Sequence, residues 1–153
     1  MAEVIPREKP TQVDDLVIDC MDNRYHKIIR QKLLDEHDID VDEVVHLRGA
    51  GASMKVNDGS FIPDILAADR LQKVKNVWIF DHTDCGGFGK LRAFDNDERR
   101  EADAHFESLE RATEAIHKVL PQLLVKTFVI GLNGQEIKPA VLSGALQDRS
   151  HQA

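Results

Sequence analysis

Long apolar runs, an apolar leader and cysteines are scarce or missing in this sequence of 153 residues. No apolar run approaches the roughly 18 residues of a membrane span, and the opening MAEVIPREKP lacks the apolar core of a secretory signal. We therefore expect a cytosolic protein with no membrane partner. In that reducing compartment, the two cysteines are more often free, catalytic or metal-bound than joined in a disulfide.

Clustered positive charge and aromatic residues are also scarce. The net charge of −7, with cations scattered among acids, argues against a nucleic-acid partner, because phosphate binding requires clustered positive charge. Aromatic residues make up 5% of the chain and hydrophobic residues 42%. This composition is typical of a soluble globular protein with an aliphatic core.

The hydrophobic pattern predicts an extended N-terminal arm over residues 1–12 and one domain over residues 13–153. Short apolar runs predict strands at 13–20, 42–47, 74–80 and 125–132. Helical spacing predicts helices at 23–36, capped by Asp22, and at 62–73. The acidic run 95–107 is expected to lead into a third, long helix that ends before Pro121. The inward stripe of this helix is predicted to be Phe106, Leu109, Ile116, Val119 and Leu120.

Strands that alternate with helices predict an α/β fold, with a mostly parallel central sheet of four to five strands flanked by helices. Ligands of such sheets collect beyond the carboxyl ends of the strands. Cys20 ends the first predicted strand, Arg48 and Gly49 follow the second, and His82 and Cys85 follow the third. We expect these segments to meet in one crevice.

His82, Cys85 and Cys20 together offer one imidazole and two thiolates, which is a donor set for zinc. Read separately, Cys20 is also compatible with a buried strand end, and the two cysteines with a disulfide. A structural zinc site has four protein ligands, whereas a catalytic one leaves a position for water. Asp22 is the main candidate for a fourth ligand, ahead of His26 and His46.

Two motifs resemble those of the β-class carbonic anhydrases, especially their short prokaryotic branch. CMDNR begins at Cys20, HTDCGG begins 62 residues later at His82, and LRGAGA stands between them. The family patterns are Cys-x-Asp-x-Arg and His-x-x-Cys-Gly, and the resemblance extends over roughly residues 13–132.

The resemblance implies a β-carbonic-anhydrase-like fold, and Zn²⁺ bound by Cys20, His82 and Cys85. It implies that Asp22 and Arg24 are the catalytic pair for reversible hydration of carbon dioxide to bicarbonate. Asp22 would orient the nucleophile, while Arg24 holds the Asp22 carboxylate away from the metal. Without that pair, Asp22 could bind the metal and close the site. The resemblance also implies a homodimer or a multiple of dimers.

Some positions depart from the family pattern. Asp81 and Gly49 replace the usual glycine and asparagine, the QKVKN turn at 72–76 is one residue longer, and the N-terminal arm is short. Two alternatives to carbonic anhydrase stay open: a carbon disulfide or carbonyl sulfide hydrolase, because relatives use the same zinc site on such substrates, and a non-catalytic zinc-binding protein. The proton route is also open, with Tyr25 and His26 close to the pair in sequence.

Overall fold

The computed structural model of this chain describes residues 2–5 and 12–140, which build a central sheet covered by helices on both faces. In chain order, the strands and α-helices are β1 (Asp15–Cys20), α1 (His26–His37), β2 (Val45–Gly49), α2 (Ala52–Asn57), α3 (Ile62–Gln72), β3 (Asn76–His82), α4 (Glu98–Val119), β4 (Leu124–Ile130) and β5 (Glu136–Ile137). Short 3-10 helices lie at Val41–Glu43, Gly86–Phe88 and Leu91–Phe94.

The sheet has the order β2-β1-β3-β4-β5. Its first four strands are parallel, and β5 pairs antiparallel with β4. The predicted α/β class and mostly parallel sheet are therefore confirmed. Cys20 pairs with Gly49, and Asp19 pairs with Phe80, so the carboxyl ends of β1, β2 and β3 lie side by side.

The two central strands are apolar because both of their faces are covered. On one face, Ile18 and Ile79 belong to a core shared with α2, α3 and α4. On the other face, Val17 and Phe80 pack in a smaller core with α1. This double burial explains why β1 and β3 read as apolar runs in the sequence.

The long helix α4 ends before Pro121, as predicted, but its buried face differs from the predicted stripe. Leu109 and Ile116 are buried, whereas Val119 is 42% exposed, so its assignment to the stripe is wrong. Polar residues complete the buried face in its place: Glu101, His105 and Ser108. Their partners lie at the end of β3, in the loop that follows it and in α2, which periodicity alone could not reveal.

The prediction that Asp22 caps α1 is wrong. The helix begins at His26, and the preceding Tyr25 makes no side-chain capping bond. The Asp22 carboxylate accepts instead from the backbone N–H of Arg24 at 3.1 Å. The capping residue predicted for the helix therefore belongs to the turn at the end of β1.

Two short elements escaped the sequence reading, and one strand begins and ends two residues later than expected. Helix α2 has six residues and follows glycines, so it shows too little periodicity, and β5 has two residues. Strand β3 continues through Asp81 and His82, whose polarity ends the apolar run at Phe80.

The predicted arm at 1–12 lies largely outside the described residues, as does the end of the predicted domain at 141–153. Across residues 2–5 and 12–140, none of the helices combines the length and the apolar character that crossing a membrane requires.

Candidate metal centre

Three potential metal ligands meet at the carboxyl end of the sheet. Cys20 is the last residue of β1, His82 is the last residue of β3, and Cys85 follows on the next loop. Their ligand atoms all lie within 4.8 Å of one another, and the three side chains are buried, with at most 5% exposed. The predicted convergence is therefore confirmed for these residues, and together they could hold a metal ion.

The hydrogen bonds of His82 fix which ring nitrogen is available. Its Nδ1 lies 2.7 Å from the carbonyl oxygen of Thr83, and because a carbonyl only accepts, Nδ1 carries the proton. Nε2 is consequently a free lone pair, and it is buried with no hydrogen-bond partner among the described residues. An unpartnered buried nitrogen is costly in a folded protein. Together with two adjacent sulfur atoms, it fits a metal ligand.

Tyr25 supports this orientation of the imidazole. Its ring stacks on that of His82 with centroids 4.1 Å apart, and its hydroxyl donates to the same Thr83 carbonyl at 3.0 Å. Burial raises the pKa of Tyr25 to about 12, so the phenol stays protonated as a donor. Tyr25 therefore positions a ligand and is poorly suited to proton transfer near neutral pH.

The two cysteine sulfur atoms are in hydrogen-bond contact and shift each other's pKa in opposite directions. A hydrogen bond from the Cys85 thiol lowers the pKa of Cys20 well below its usual range, although burial opposes this shift. The same bond and burial raise the pKa of Cys85. The backbone N–H of Gly87 bonds the Cys85 sulfur. A bound cation would replace the proton of the Cys85 thiol and neutralise both sulfur atoms.

Gly87 also allows the metal loop to approach the turn after β2. A Cβ atom at Gly87 would lie 3.1 Å from the backbone of Ala50 and Gly51, which cannot easily move. The backbone N–H of Gly51 in turn bonds the Cys20 sulfur. The glycine-rich segment after β2 thus closes the site from the side of β2.

Asp22 lies beside the three ligands but is paired with Arg24. The guanidinium Nη2 is 2.6 Å from Asp22 Oδ2, and Nε is 3.1 Å from both carboxylate oxygens. Hydrogen bonds from Arg24 lower the pKa of Asp22 to about 2, so the carboxylate is ionised at neutral pH. Asp22 Oδ2 is 4.0 Å from His82 Nε2, within a short movement of the ligand cluster.

The other two histidines considered as ligands have partners elsewhere. His26 Nε2 lies 2.9 Å from the carbonyl oxygen of Cys20, and His46 Nε2 lies 2.9 Å from Asp19 Oδ1. Neither belongs to the Cys20, His82 and Cys85 cluster. Their ring nitrogens therefore bond to groups other than the ligand atoms of the cluster.

No family model matches this chain. An uncharacterized protein of Rickettsia bellii (strain RML369-C) is 33% identical over 135 residues, which are 80% of this chain and 79% of that protein. An uncharacterized protein of Rickettsia conorii (strain ATCC VR-613 / Malish 7) is 30% identical over 135 residues, covering 80% of this chain and 70% of that protein. This chain belongs to the same family as these two rickettsial proteins.

The fold has a solved counterpart in the β-carbonic anhydrase CafA of the fungal pathogen Aspergillus fumigatus. The two share 20% sequence identity, with a TM-score of 0.53 over 93% of this chain and 83% of that one. The likeness shows that this chain has the fold of a β-carbonic anhydrase.

Asp84, between His82 and Cys85, is a second partner of Arg24 that the sequence analysis missed. Its Oδ2 accepts from Arg24 Nη1 at 3.2 Å, and its backbone oxygen accepts from Nη2 at 3.1 Å. Arg24 therefore ties the Asp22 turn to the metal loop. The motif HTDC shows an acid between the two ligands. Whether its side chain reaches Arg24 depends on the loop backbone, where Asp84 has a φ of 52°.

Asp81, which stands where the resembling family usually has a glycine, lies directly before the ligand His82. Its carboxylate is buried and is paired with His105, whose Nδ1 is 2.7 Å from Asp81 Oδ2. The other ring nitrogen of His105, Nε2, is 2.9 Å from Glu101 Oε2. This cluster of Asp81, His105 and Glu101, which we call the buried triad, contains charges that the sequence analysis did not connect.

The buried triad predicts a pH dependence of stability. Although burial opposes the charged imidazole, the two carboxylates prevail and raise the pKa of His105 from 6.5 to about 9. A raised folded-state pKa stabilises the protein below about pH 6.5, and this stabilisation is lost as the pH rises through about 9. The full contribution is about 3 kcal/mol at roughly 1.4 kcal/mol per pKa unit.

Urea unfolding of the wild type and His105→Gln across this pH range measures that contribution. Other titrating groups cancel in the difference between the two proteins. We therefore expect the extra free energy of unfolding of the wild type to shrink toward alkaline pH, as His105 loses its proton. A difference that stays constant with pH would contradict a charged His105.

Proposed function

We propose that this chain is a zinc-dependent carbonic anhydrase that catalyses reversible hydration of carbon dioxide to bicarbonate. The observation that carries the proposal is the unpartnered Nε2 of His82, buried with Cys20 and Cys85 beside the ionised Asp22. The fold shared with a β-carbonic anhydrase supports the same reaction class.

The donor set favours zinc over harder cations, because two thiolates and an imidazole are soft and borderline ligands. When bound, zinc supplies Lewis-acid activation of water and stabilisation of developing negative charge. Cys20 and Cys85 together neutralise the double positive charge of the ion. The surrounding side chains must therefore contribute more to activation than they would around three neutral histidines.

Asp22 is suited to accept a hydrogen bond from the attacking water and so to orient it. The carboxylate is ionised, lies 4.0 Å from His82 Nε2 and is partly exposed, so a small molecule can reach it. Because an ionised carboxylate only accepts hydrogen bonds, Asp22 holds the O–H of the attacking water. A lone pair of the water oxygen is then left to face the substrate carbon.

Arg24 keeps that carboxylate in a catalytic position. Its hydrogen bonds to Asp22 are charge-assisted, and Asp84 holds the far side of the same guanidinium. Asp22 is thereby restrained from turning onto the metal and occupying the position that water needs. Arg24 is thus a positioning residue, while Asp22 is the catalytic one.

Stopped-flow measurement of carbon dioxide hydration at alkaline pH tests the proposal. Sulfide release from carbon disulfide and from carbonyl sulfide is measured in parallel on the same zinc-loaded sample. We expect carbon dioxide hydration well above the buffer rate, with little sulfide release. Hydration at the buffer rate with zinc bound would contradict the proposal; sulfide release would then favour the hydrolase, and its absence a non-catalytic zinc protein.

A further inference from the structure

The buried triad lies directly beneath the loop that carries Cys85. Both oxygens of Glu101 accept backbone N–H groups of this loop: Oε1 from Asp84 at 2.8 Å and Oε2 from Cys85 at 3.0 Å. Glu101 itself is completely buried, on the face of α4 that packs toward the sheet. One carboxylate therefore holds two successive amides of the metal loop.

The hydrogen bonds around Glu101 define its charge. Because its two oxygens accept amide protons, and Oε2 also faces His105 Nε2, the carboxylate is ionised and the ring nitrogen donates. A carboxylate with several donors around it strongly prefers the charged form.

The other end of the triad is also fully bonded. Asp81 accepts from the backbone N–H of Ser53 at 2.9 Å and from its hydroxyl at 2.6 Å. The Ser53 hydroxyl accepts in turn from Ser108, which accepts from Asn57. With both carboxylates ionised, His105 donates from both ring nitrogens and is an imidazolium.

The loop needs such support because its backbone is strained. Asp84 has a φ of 52°, a left-handed conformation that side chains other than glycine rarely adopt. Such conformations persist only where neighbouring groups enforce them. The Glu101 carboxylate enforces this one by accepting the amides on both sides of the Asp84 α-carbon.

We propose that Glu101, held in place by His105, is a positioning residue that sets the metal loop for zinc binding. By fixing the amides of Asp84 and Cys85, it directs the Cys85 sulfur toward Cys20 and His82. It also places the Asp84 carboxylate against Arg24. The inference rests on the proposed zinc centre and adds residues that neither bind the metal nor contact the substrate.

Glu101→Gln is the main variant that tests this role. The side chain keeps its size but has only one acceptor oxygen, so it cannot accept both amides. Replacing a group that supports a metal ligand typically weakens metal binding by about 10- to 100-fold. We expect a weakening of that size in the zinc dissociation constant, measured by competition with a chromophoric chelator.

Asp81→Asn and His117→Gln are the matched controls. Asp81→Asn removes the same charge from the far side of the triad, but its side-chain oxygen can still accept from His105, and the loop amides stay bonded to Glu101. His117→Gln alters another histidine of α4, whose partner is the carbonyl oxygen of Leu123. Both should change the dissociation constant far less than Glu101→Gln. Equal weakening by Asp81→Asn would show a general loss of stability and overturn the proposal.

A second readout does not depend on activity. In the zinc-loaded wild type, charge-assisted bonds should shift the amide protons of Asp84 and Cys85 downfield, and Glu101→Gln should move both upfield.

If Glu101→Gln does not fold, Glu101→Asp keeps the charge but withdraws it from the loop, and the same weakening is expected. Unchanged zinc affinity in a folded Glu101 variant overturns the inference alone. Failure of the wild type to bind zinc overturns the zinc centre with it.

Discussion

Asp22→Asn is expected to keep one zinc per chain while lowering the rate of carbon dioxide hydration by about 10²- to 10⁴-fold. The amide can still bond to Arg24 through its oxygen, so the turn at the end of β1 stays in place. It cannot serve as a charged acceptor for the proton of the attacking water. Stopped-flow hydration rates and the zinc content of the same preparations measure the two effects separately.

Asp95→Asn is the matched control, because Asp95 is also paired with an arginine, Arg100, but lies on an exposed turn. It should keep both zinc and activity. Full activity in Asp22→Asn would contradict the proposed role of the carboxylate. Loss of zinc from Asp22→Asn would instead identify Asp22 as a ligand.

Cys85→Ala is expected to reduce the zinc content from close to one per chain to nearly zero. It removes one of two thiolates, and the remaining Cys20 and His82 cannot neutralise and enclose the ion as three ligands do. Metal analysis of protein purified without chelator measures the change. Circular dichroism shows whether the sheet is retained, which we expect because Cys85 lies on a loop outside the strands.

His117→Gln provides the comparison for Cys85→Ala, since it removes a metal-binding side-chain type from a position remote in sequence from the cluster. It should retain full zinc content. Cys85→Ala protein that still carries one zinc would contradict the assignment of Cys85 as a ligand.

The metal cluster could be predicted because parallel strands bring their carboxyl ends to one edge. Cys20 and His82 end neighbouring strands, so their positions in the apolar pattern placed them together before any side-chain geometry was known. Two cysteines and one histidine at that edge then indicated a metal through their chemistry.

The supporting residues could not be predicted in the same way. Glu101 and His105 lie on a helix that is acidic at its start, where charged residues ordinarily face solvent. Their burial depends on how α4 packs against α2 and the loop after β3, which involves contacts across 16 or more residues. Asp22 was misassigned as a helix cap because one side chain in this turn can either cap the helix or pair with Arg24. The sequence alone does not decide between the two.

Carbon dioxide hydration by a single preparation, measured zinc-loaded, after removal of zinc by a chelator and after zinc is restored, tests the central claim most directly. The proposed centre predicts hydration well above the buffer rate in the first state, loss of that excess in the second and its recovery in the third. Hydration that never exceeds the buffer rate, or that persists unchanged after zinc is removed, would contradict it.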